Sequence, residues 1–253
     1  MTRRRIGFWY RLAVVLLRRP LLLLTRRDWR GAEHLPPQGG VVVCTNHVSH
    51  FDPLAFAHFV YDNGRLPRFL GKEGIFRVPV VGTILRGAGQ IPVYRESADA
   101  GKAFSAAVEA VQQGECVVIY PEATLTRDPG LWPMTGKTGA ARVALLTGAP
   151  VIPVAQWGPQ EVLPPYGRRL WLLPRKTMHM LAGPPVDLSQ FAGRKHDAET
   201  LRQVTEKIMT AISELLGQIR GERAPAVRFD SRASSLPRIG DLRRLSRPRR
   251  RSA

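Results

Sequence analysis

The turn from Asn46 to Pro53 carries the side chains best suited to proton-transfer chemistry. His47 lies in this turn, and Asp52 follows five residues later. A histidine can act as a base near neutral pH. A carboxylate that accepts the proton of its Nδ1 atom fixes the tautomer and stabilises the imidazolium formed during reaction. The pair therefore predicts general-base chemistry, in which His47 deprotonates a hydroxyl group.

Two other interpretations of this turn stay open from the sequence alone. His47 can be a structural histidine, with Asp52 capping a helix whose first residue is Pro53. Alternatively, His47, His50 and Asp52 can form a metal site, although no separate cluster of cysteines and histidines supplies further ligands. A serine hydrolase is disfavoured, because the sequence contains no Gly-x-Ser-x-Gly motif.

The elements around this turn predict an α/β fold. Short apolar runs alternate with helical stretches, as in a central, mostly parallel sheet flanked by helices. The predicted strands are 40–45, 68–71, 89–93, 116–120, 151–155 and 177–181. The predicted helices are 53–60, 78–86, 98–113, 137–147 and 197–219. Binding sites in such a sheet lie at the carboxyl ends of strands, so the turn after strand 40–45 is well placed to hold one.

The charge of the chain predicts an anionic partner. Its 253 residues include 38 Lys and Arg against 20 Asp and Glu, a formal net charge of +18. Nucleic acid, a membrane surface and phosphorylated substrates are the candidate partners. Nucleic acid is disfavoured, because no zinc-finger or RNA-binding aromatic signature occurs. Cys44 and Cys116 lie in apolar runs and are predicted to be buried as small hydrophobes.

The two ends of the chain differ from its centre. Residues 1–35 combine basic residues with apolar runs that are too short to span a bilayer. They are predicted to form a pair of interfacial helices interrupted near Pro20, or else an amphipathic helix that covers the core. Residues 223–253 predict a basic, disordered tail that binds anionic lipid. Residues 36–222 form the predicted α/β domain.

Four blocks, in order, resemble the signature blocks of the glycerolipid acyltransferase family, particularly the bacterial 1-acyl-glycerol-3-phosphate acyltransferases. The first is Asn-His-x-Ser-x-x-Asp-Pro at 46–53, and the second is Gly-Gln-Ile-Pro-Val-Tyr-Arg at 89–95. The third is Tyr-Pro-Glu-Ala-Thr at 120–124, and the fourth is Val-Ile-Pro-Val at 151–154. Supporting motif residues are Asn46, Ser49, Pro121 and Pro153.

The resemblance implies that His47 and Asp52 are catalytic. It implies direct attack by the acceptor hydroxyl and no acyl-enzyme, so Ser49 is interpreted as a turn residue that bonds to the backbone. Arg95 is predicted to hold the acceptor phosphate through two parallel hydrogen bonds. Lys137, at the start of a helix, is predicted to add a point charge there. For both cations the alternative is a solvated surface charge.

The remaining predicted substrate-binding residues are Glu122, Thr124 and Arg127. Glu122 is predicted to brace the acceptor site or its cationic neighbours; a buried ion pair with a cation is the competing account, and the two roles are compatible. Two departures from the family pattern affect this region. Ala123 stands where glycine is usual, which makes a positive φ harder to adopt. Leu125 stands where an arginine often follows, and Arg127 comes two residues later.

These observations predict transfer of a fatty acyl group from acyl-CoA or acyl carrier protein to the free hydroxyl of 1-acyl-sn-glycerol-3-phosphate. The alternatives are another lysolipid or glycerol-3-phosphate as acceptor, or a non-catalytic protein that binds anionic lipid. No metal and no cofactor is expected beyond the acyl donor as co-substrate. The expected partners are an anionic membrane surface, the donor and the lysophospholipid acceptor. The expected location is the cytoplasmic face of the cell membrane, as a peripheral or monotopic protein.

Overall fold

The computed structural model describes residues 7–93 and 100–230. Its strands are β1 (Thr25–Arg30), β2 (Val41–Thr45), β3 (Pro67–Lys72), β4 (Ile91–Val93), β5 (Cys116–Ile119), β6 (Val151–Trp157) and β7 (Lys176–Ala182). Its helices are α1 (Phe8–Leu24), α2 (Asp52–Asp62), α3 (Glu73–Phe76), α4 (Val81–Gly87), α5 (Ala100–Gln112), α6 (Gly139–Thr147), α7 (Pro159–Val162) and α8 (Ala198–Arg220).

The seven strands form one sheet in the order β1-β7-β6-β2-β5-β3-β4. Every neighbouring pair is parallel except β6 and β7, which are antiparallel. All five residues of β2 are buried, which is typical of a central strand covered on both faces. The predicted α/β class, with a mostly parallel sheet between helices, is confirmed.

Each face of the sheet carries its own apolar core. On one face, α5, α6 and α8 pack against residues such as Val42 and Val117. On the other face, α2 packs against residues such as Val43 and Val118, and Leu21 of α1 joins this second core. Alternate residues of one strand thus serve opposite cores, as the pleat of a strand requires. Cys44 and Cys116 are both buried and free, as expected.

The N-terminal region differs from the expected pair of interfacial helices. α1 is one continuous helix that contains Pro20. Pro20 lies on the exposed side of α1, where its ring disturbs no packed neighbour. α1 leads directly into β1, which pairs with β7, so the α/β fold begins before the boundary predicted at residue 36. The sequence pattern hid β1 because this edge strand is rich in charge, a common protection of exposed sheet edges.

Two other boundaries differ from the sequence-based expectation. α4 starts at Val81 rather than at residue 78, because Val80 adopts a φ of 63° that no α-helix contains. Residues 223–230 were assigned to a disordered tail, yet the Phe229 carbonyl accepts the Thr135 N–H at 3.0 Å. Residues 231–253 lie outside the described residues. No helix within 7–93 and 100–230 is long and apolar enough to span a membrane.

Candidate active site

The turn between β2 and α2 is folded around the side chain of Asp52. Its Oδ2 atom accepts the backbone N–H groups of Val48 at 2.6 Å and Ser49 at 2.9 Å. The Ser49 hydroxyl accepts the Phe51 N–H at 3.0 Å and donates to the Leu163 carbonyl at 2.6 Å. Ser49 therefore bonds to the backbone, as expected for a turn residue. These bonds place His47 immediately beyond the carboxyl end of β2.

The His47 imidazole contacts the same Asp52 oxygen. The distance from His47 Nδ1 to Asp52 Oδ2 is 2.9 Å, and Asp52 is fully buried while the His47 side chain is 16% exposed. An ionised carboxylate only accepts hydrogen bonds, so Nδ1 carries the proton and Nε2 is left as the basic atom. Burial raises the pKa of Asp52, and its bonds from His47, Ser49 and Val48 act in the opposite direction.

A stack of two aromatic rings lies against the His47 imidazole. The ring of Tyr120, which follows β5, stacks on His47 with centroids 4.2 Å apart and planes inclined by 27°. Phe69 of β3 stacks on Tyr120 with centroids 6.3 Å apart. Burial raises the pKa of Tyr120, and the charge of Asp52 acts in the same direction. The Tyr120 phenol is therefore neutral at physiological pH, and its ring restrains the orientation of His47.

A pair of buried amide side chains holds the turn to β6. The Asn46 Nδ2 atom donates to the Gln156 carbonyl at 3.0 Å, and the Gln156 backbone N–H donates to Asn46 Oδ1 at 2.8 Å. The Gln156 side-chain amide also donates to the Asn46 carbonyl at 2.7 Å. The sequence-based reasoning missed Gln156. The available signal was a polar residue at the end of the apolar run 151–155.

Glu122 ties three backbone segments of the site together. Its Oε1 atom accepts the His47 N–H at 2.9 Å, and its Oε2 atom accepts the Met134 N–H at 2.9 Å. The Thr126 N–H also bonds to the His47 carbonyl, at 2.7 Å. Glu122 thus braces the turn through backbone groups, whereas the sequence left open a bracing role or an ion pair. Burial raises the pKa of Glu122 to about 8.

Arg127 is a buried cation close to this brace. The residue is 5% exposed, and its backbone N–H contacts the Met134 Sδ atom at 3.2 Å. Within the described part of the chain, none of its three guanidinium nitrogens has a hydrogen-bond partner. A buried charge without a partner is costly to the fold. Arg127 is therefore a strong candidate for binding an anionic ligand.

The other predicted site residues are placed as follows. Lys137 is exposed, two residues before α6, and its backbone N–H donates to the Pro121 carbonyl at 2.8 Å. Thr124 is half-buried in the turn after β5. Pro153 is buried in β6, opposite Cys44 of β2. Arg95 lies outside the described residues, so the structure brings His47, Asp52, Glu122 and Arg127 into one region and leaves Arg95 as a prediction.

Ala123 adopts a positive φ, a conformation that is unfavourable for alanine. Its φ is 57°, in the left-handed region where glycine is favoured and a Cβ atom causes strain. The Ala123 N–H closes a turn to the Tyr120 carbonyl at 2.9 Å. Ala123 thus occupies a backbone conformation that suits glycine better, with local strain next to Glu122.

The bonds of Asp52 bear on the interpretation of His47, His50 and Asp52 as a metal site. Among residues 7–93 and 100–230, no group of three His, Cys, Asp or Glu side chains is arranged to hold a metal ion. Asp52 instead uses one oxygen for the imidazole and for two backbone N–H groups.

The chain is similar to a known family and to several known proteins. The model of the Acyltransferase family matches residues 26–157. A chloroplastic 1-acyl-sn-glycerol-3-phosphate acyltransferase of Brassica napus is 30% identical over 141 residues, which cover 55% of this chain and 39% of the relative. The 1-acyl-sn-glycerol-3-phosphate acyltransferase of Borreliella burgdorferi is 32% identical over 125 residues, 49% of this chain and 48% of the relative. The chain thus spans less than half the length of these two relatives.

Two further comparisons cover more of the molecule. The 1-acyl-sn-glycerol-3-phosphate acyltransferase of Bacillus subtilis is 26% identical over 186 residues, 72% of this chain and 84% of the relative. The crystal structure of the 1-acyl-sn-glycerophosphate (LPA) acyltransferase PlsC from Thermotoga maritima superposes with a TM-score of 0.66 at 22% identity. That superposition covers 85% of this chain and 82% of the other, and it shows that the two chains share a fold.

Proposed function

Because the chain belongs to the Acyltransferase family, we propose that it is a 1-acyl-sn-glycerol-3-phosphate acyltransferase. It transfers a fatty acyl group from acyl-CoA or acyl carrier protein to the free hydroxyl of 1-acyl-sn-glycerol-3-phosphate, which yields phosphatidic acid for phospholipid biosynthesis. The observation that carries the proposal is the 2.9 Å contact between His47 Nδ1 and the buried Asp52 carboxylate. This contact leaves Nε2 free to accept a proton.

His47 and Asp52 divide the proton chemistry between them. The Nε2 atom of His47 takes the proton of the acceptor hydroxyl while that oxygen attacks the thioester carbonyl. A C–O ester bond forms and the C–S bond breaks. The departing thiolate then takes from the imidazolium the proton that came from the acceptor hydroxyl. Asp52 stays ionised and stabilises the imidazolium. General-base catalysis of this kind contributes about 10²–10⁴-fold in rate.

The acceptor phosphate is proposed to bind to Arg127, together with Arg95 and Lys137. The guanidinium of Arg127 is buried and without a partner among the described residues, and a phosphate can satisfy it with two parallel, charge-assisted hydrogen bonds. Glu122 acts indirectly, because its two oxygens hold the backbone at His47 and Met134. Thr124, in the same turn, is proposed to line the acceptor site.

The proposed reaction takes place at the cytoplasmic face of the cell membrane, where acceptor and donor meet. The chain is proposed to attach there as a peripheral or monotopic protein. Its net charge of +18 supports attachment to anionic lipid, since each basic residue near such a surface contributes about 1 kcal/mol. Neither a metal ion nor a redox cofactor takes part in the proposed reaction.

An acceptor panel tests the proposal. Purified protein receives acyl-CoA with 1-acyl-sn-glycerol-3-phosphate, with glycerol-3-phosphate or with monoacylglycerol, and the lipid products are identified by mass spectrometry. We expect phosphatidic acid from the first acceptor and little product from monoacylglycerol, which lacks the phosphate. Preferred acylation of glycerol-3-phosphate would reassign the acceptor, and absence of product with every acceptor and donor would contradict the enzymatic function.

A further inference from the structure

Exposed apolar side chains are concentrated in three segments of the described chain. In the described chain, thirteen of the fifteen exposed large apolar residues lie in three segments. Six are on α1, four are at 75–81 (the α3–α4 corner), and three are at 170–173 (the 170–173 loop). Only Leu146 and Val227 lie elsewhere. Single exposed apolar residues are normal, but a contiguous group indicates an interaction surface.

The corner and the loop lie at opposite ends of α1. Near its start, a side-chain carbon added at Gly87 would lie 2.2 Å from the Trp9 ring, so this ring lies directly on the last residue of α4. α4 has seven residues and is about 10 Å long, which places the corner close to α1. Near its end, Arg175 donates to the Leu22 carbonyl at 2.9 Å and fixes the loop there.

The corner is built to expose its apolar side chains. The Val81 N–H bonds to the Pro79 carbonyl at 2.7 Å, and Val80 between them has φ 63° and ψ −58°. This is a classic γ-turn, which is rare and strained, and valine is a poor residue for it. Val80 is nevertheless 71% exposed. Strain of this kind persists at functional sites.

From this distribution we infer that α1, the α3–α4 corner and the 170–173 loop form one docking surface for an anionic lipid bilayer. The inference rests on the proposed function and extends the predicted membrane contact beyond residues 1–35 and the basic tail. Exposed arginines accompany the apolar residues, namely Arg11 and Arg19 on α1 and Arg168 and Arg169 beside the loop. Arg77 at the corner is also exposed and forms an ion pair with Glu73. A second copy of the same positive face would be repelled, whereas anionic headgroups are attracted.

The tryptophans of this surface, one of them in contact with an arginine, are also typical of a bilayer interface. The Arg169 guanidinium lies 4.5 Å from the centroid of the Trp171 ring, and Trp171 is 48% exposed. Trp9 is exposed at the other end of α1. Tryptophan is enriched at the level of lipid headgroups, where an apolar ring and a polar edge are both satisfied.

Both flanking segments follow, a few residues along the chain, a residue that contacts the active site. The 170–173 loop follows α7 and Leu163, whose carbonyl accepts the Ser49 hydroxyl. The corner follows β3, whose Phe69 stacks on Tyr120. The corner follows the carboxyl end of β3, and the loop leads into β7, which is antiparallel to β6 and so begins near the carboxyl end of β6. Both therefore lie at the edge of the sheet where His47 lies. A bilayer bound there presents its lipid acceptor next to the base.

Vesicle flotation of the full chain, without substrates, tests the surface. The vesicles contain phosphatidylglycerol and phosphatidylcholine. One variant carries Val78→Asp and Val80→Asp, and a second carries Leu170→Asp and Leu173→Asp. The matched control carries Leu146→Asp and Val227→Asp, the two exposed apolar residues outside the surface. All six side chains are exposed, so thermal unfolding, measured in parallel, should stay close to that of the wild type.

We expect the corner and loop variants to lose about tenfold or more in vesicle partitioning, while the control binds like the wild type. Wild-type binding by both surface variants would overturn the inference, as would an equal loss in the control. Loss of self-association with unchanged vesicle binding would assign the surface to a second copy and overturn it too. Activity on detergent-dispersed acceptor is measured separately, so failure of the proposed function is distinguishable from failure of the surface.

Discussion

Replacement of the buried Arg127 should make the protein more stable and less active. Arg127 is only 5% exposed, and its guanidinium has no hydrogen-bond partner within the described residues. Arg127→Met keeps an unbranched side chain of similar length and removes the charge. Replacement of poorly compensated buried charge by an apolar side chain stabilises proteins by about 1–4 kcal/mol. We expect a gain in the free energy of unfolding within that range, measured by urea denaturation.

The same substitution should weaken binding of the phosphate. Two charge-assisted hydrogen bonds are worth about 1.5 kcal/mol each at the low end, or about 3 kcal/mol together, which is about a 10²-fold change. We expect KM for 1-acyl-sn-glycerol-3-phosphate to rise by about that factor. The low rate with monoacylglycerol, which has no phosphate, should change little. A lower free energy of unfolding together with an unchanged KM would refute the reasoning, because Arg127 would then be a structural residue.

Three further predictions concern the support of the site. Gln156→Ala removes the hydrogen bond from the Gln156 side-chain amide to the Asn46 carbonyl and leaves the two backbone bonds, so we expect a loss of about 1 kcal/mol in unfolding free energy and a lower kcat; an unchanged urea midpoint would contradict it. Ala123→Gly relieves a φ of 57° and should raise the unfolding free energy by about 1 kcal/mol; a decrease would contradict it. The pKa of Glu122 is raised to about 8 in the folded protein, so the folded protein retains a proton there that the unfolded chain loses above its ordinary pKa. Wild-type unfolding free energy should therefore fall between about pH 4.5 and 8, with a slope of at most about 1.4 kcal/mol per pH unit from this group. Glu122→Gln should remove that contribution, and an identical slope in the variant would contradict the assignment.

Much of the fold could be predicted from the sequence because its central strands are continuous apolar runs. β2, β5 and β6 are buried on both faces, and such strands leave a clear local signal. β1 could not be predicted in this way, because its charged residues pair with β7 through backbone bonds that no local pattern encodes. α1 likewise continues through Pro20, and the next residue, Leu21, packs in the second core, a contact that no local pattern encodes.

The active site could be predicted where its partners are close in sequence. His47 and Asp52 are five residues apart, and the turn between them allows only a few arrangements. The supports of His47 come from distant segments, namely Glu122, Gln156 and the ring of Tyr120. Their roles depend on the order of strands in the sheet, which sequence spacing does not reveal. The bonding of Glu122 to two backbone N–H groups could be seen only in the folded chain.

The most direct test of the account compares His47→Ala with His50→Ala in the transfer of an acyl group from acyl-CoA to 1-acyl-sn-glycerol-3-phosphate. Both histidines lie in the same turn; His47 Nδ1 lies 2.9 Å from Asp52 Oδ2, while His50 is exposed. We expect His47→Ala to lose at least about 10²-fold in kcat, with a folded structure by circular dichroism, and His50→Ala to turn over like the wild type. Turnover by His47→Ala at the wild-type rate would contradict the assignment of His47 as the base.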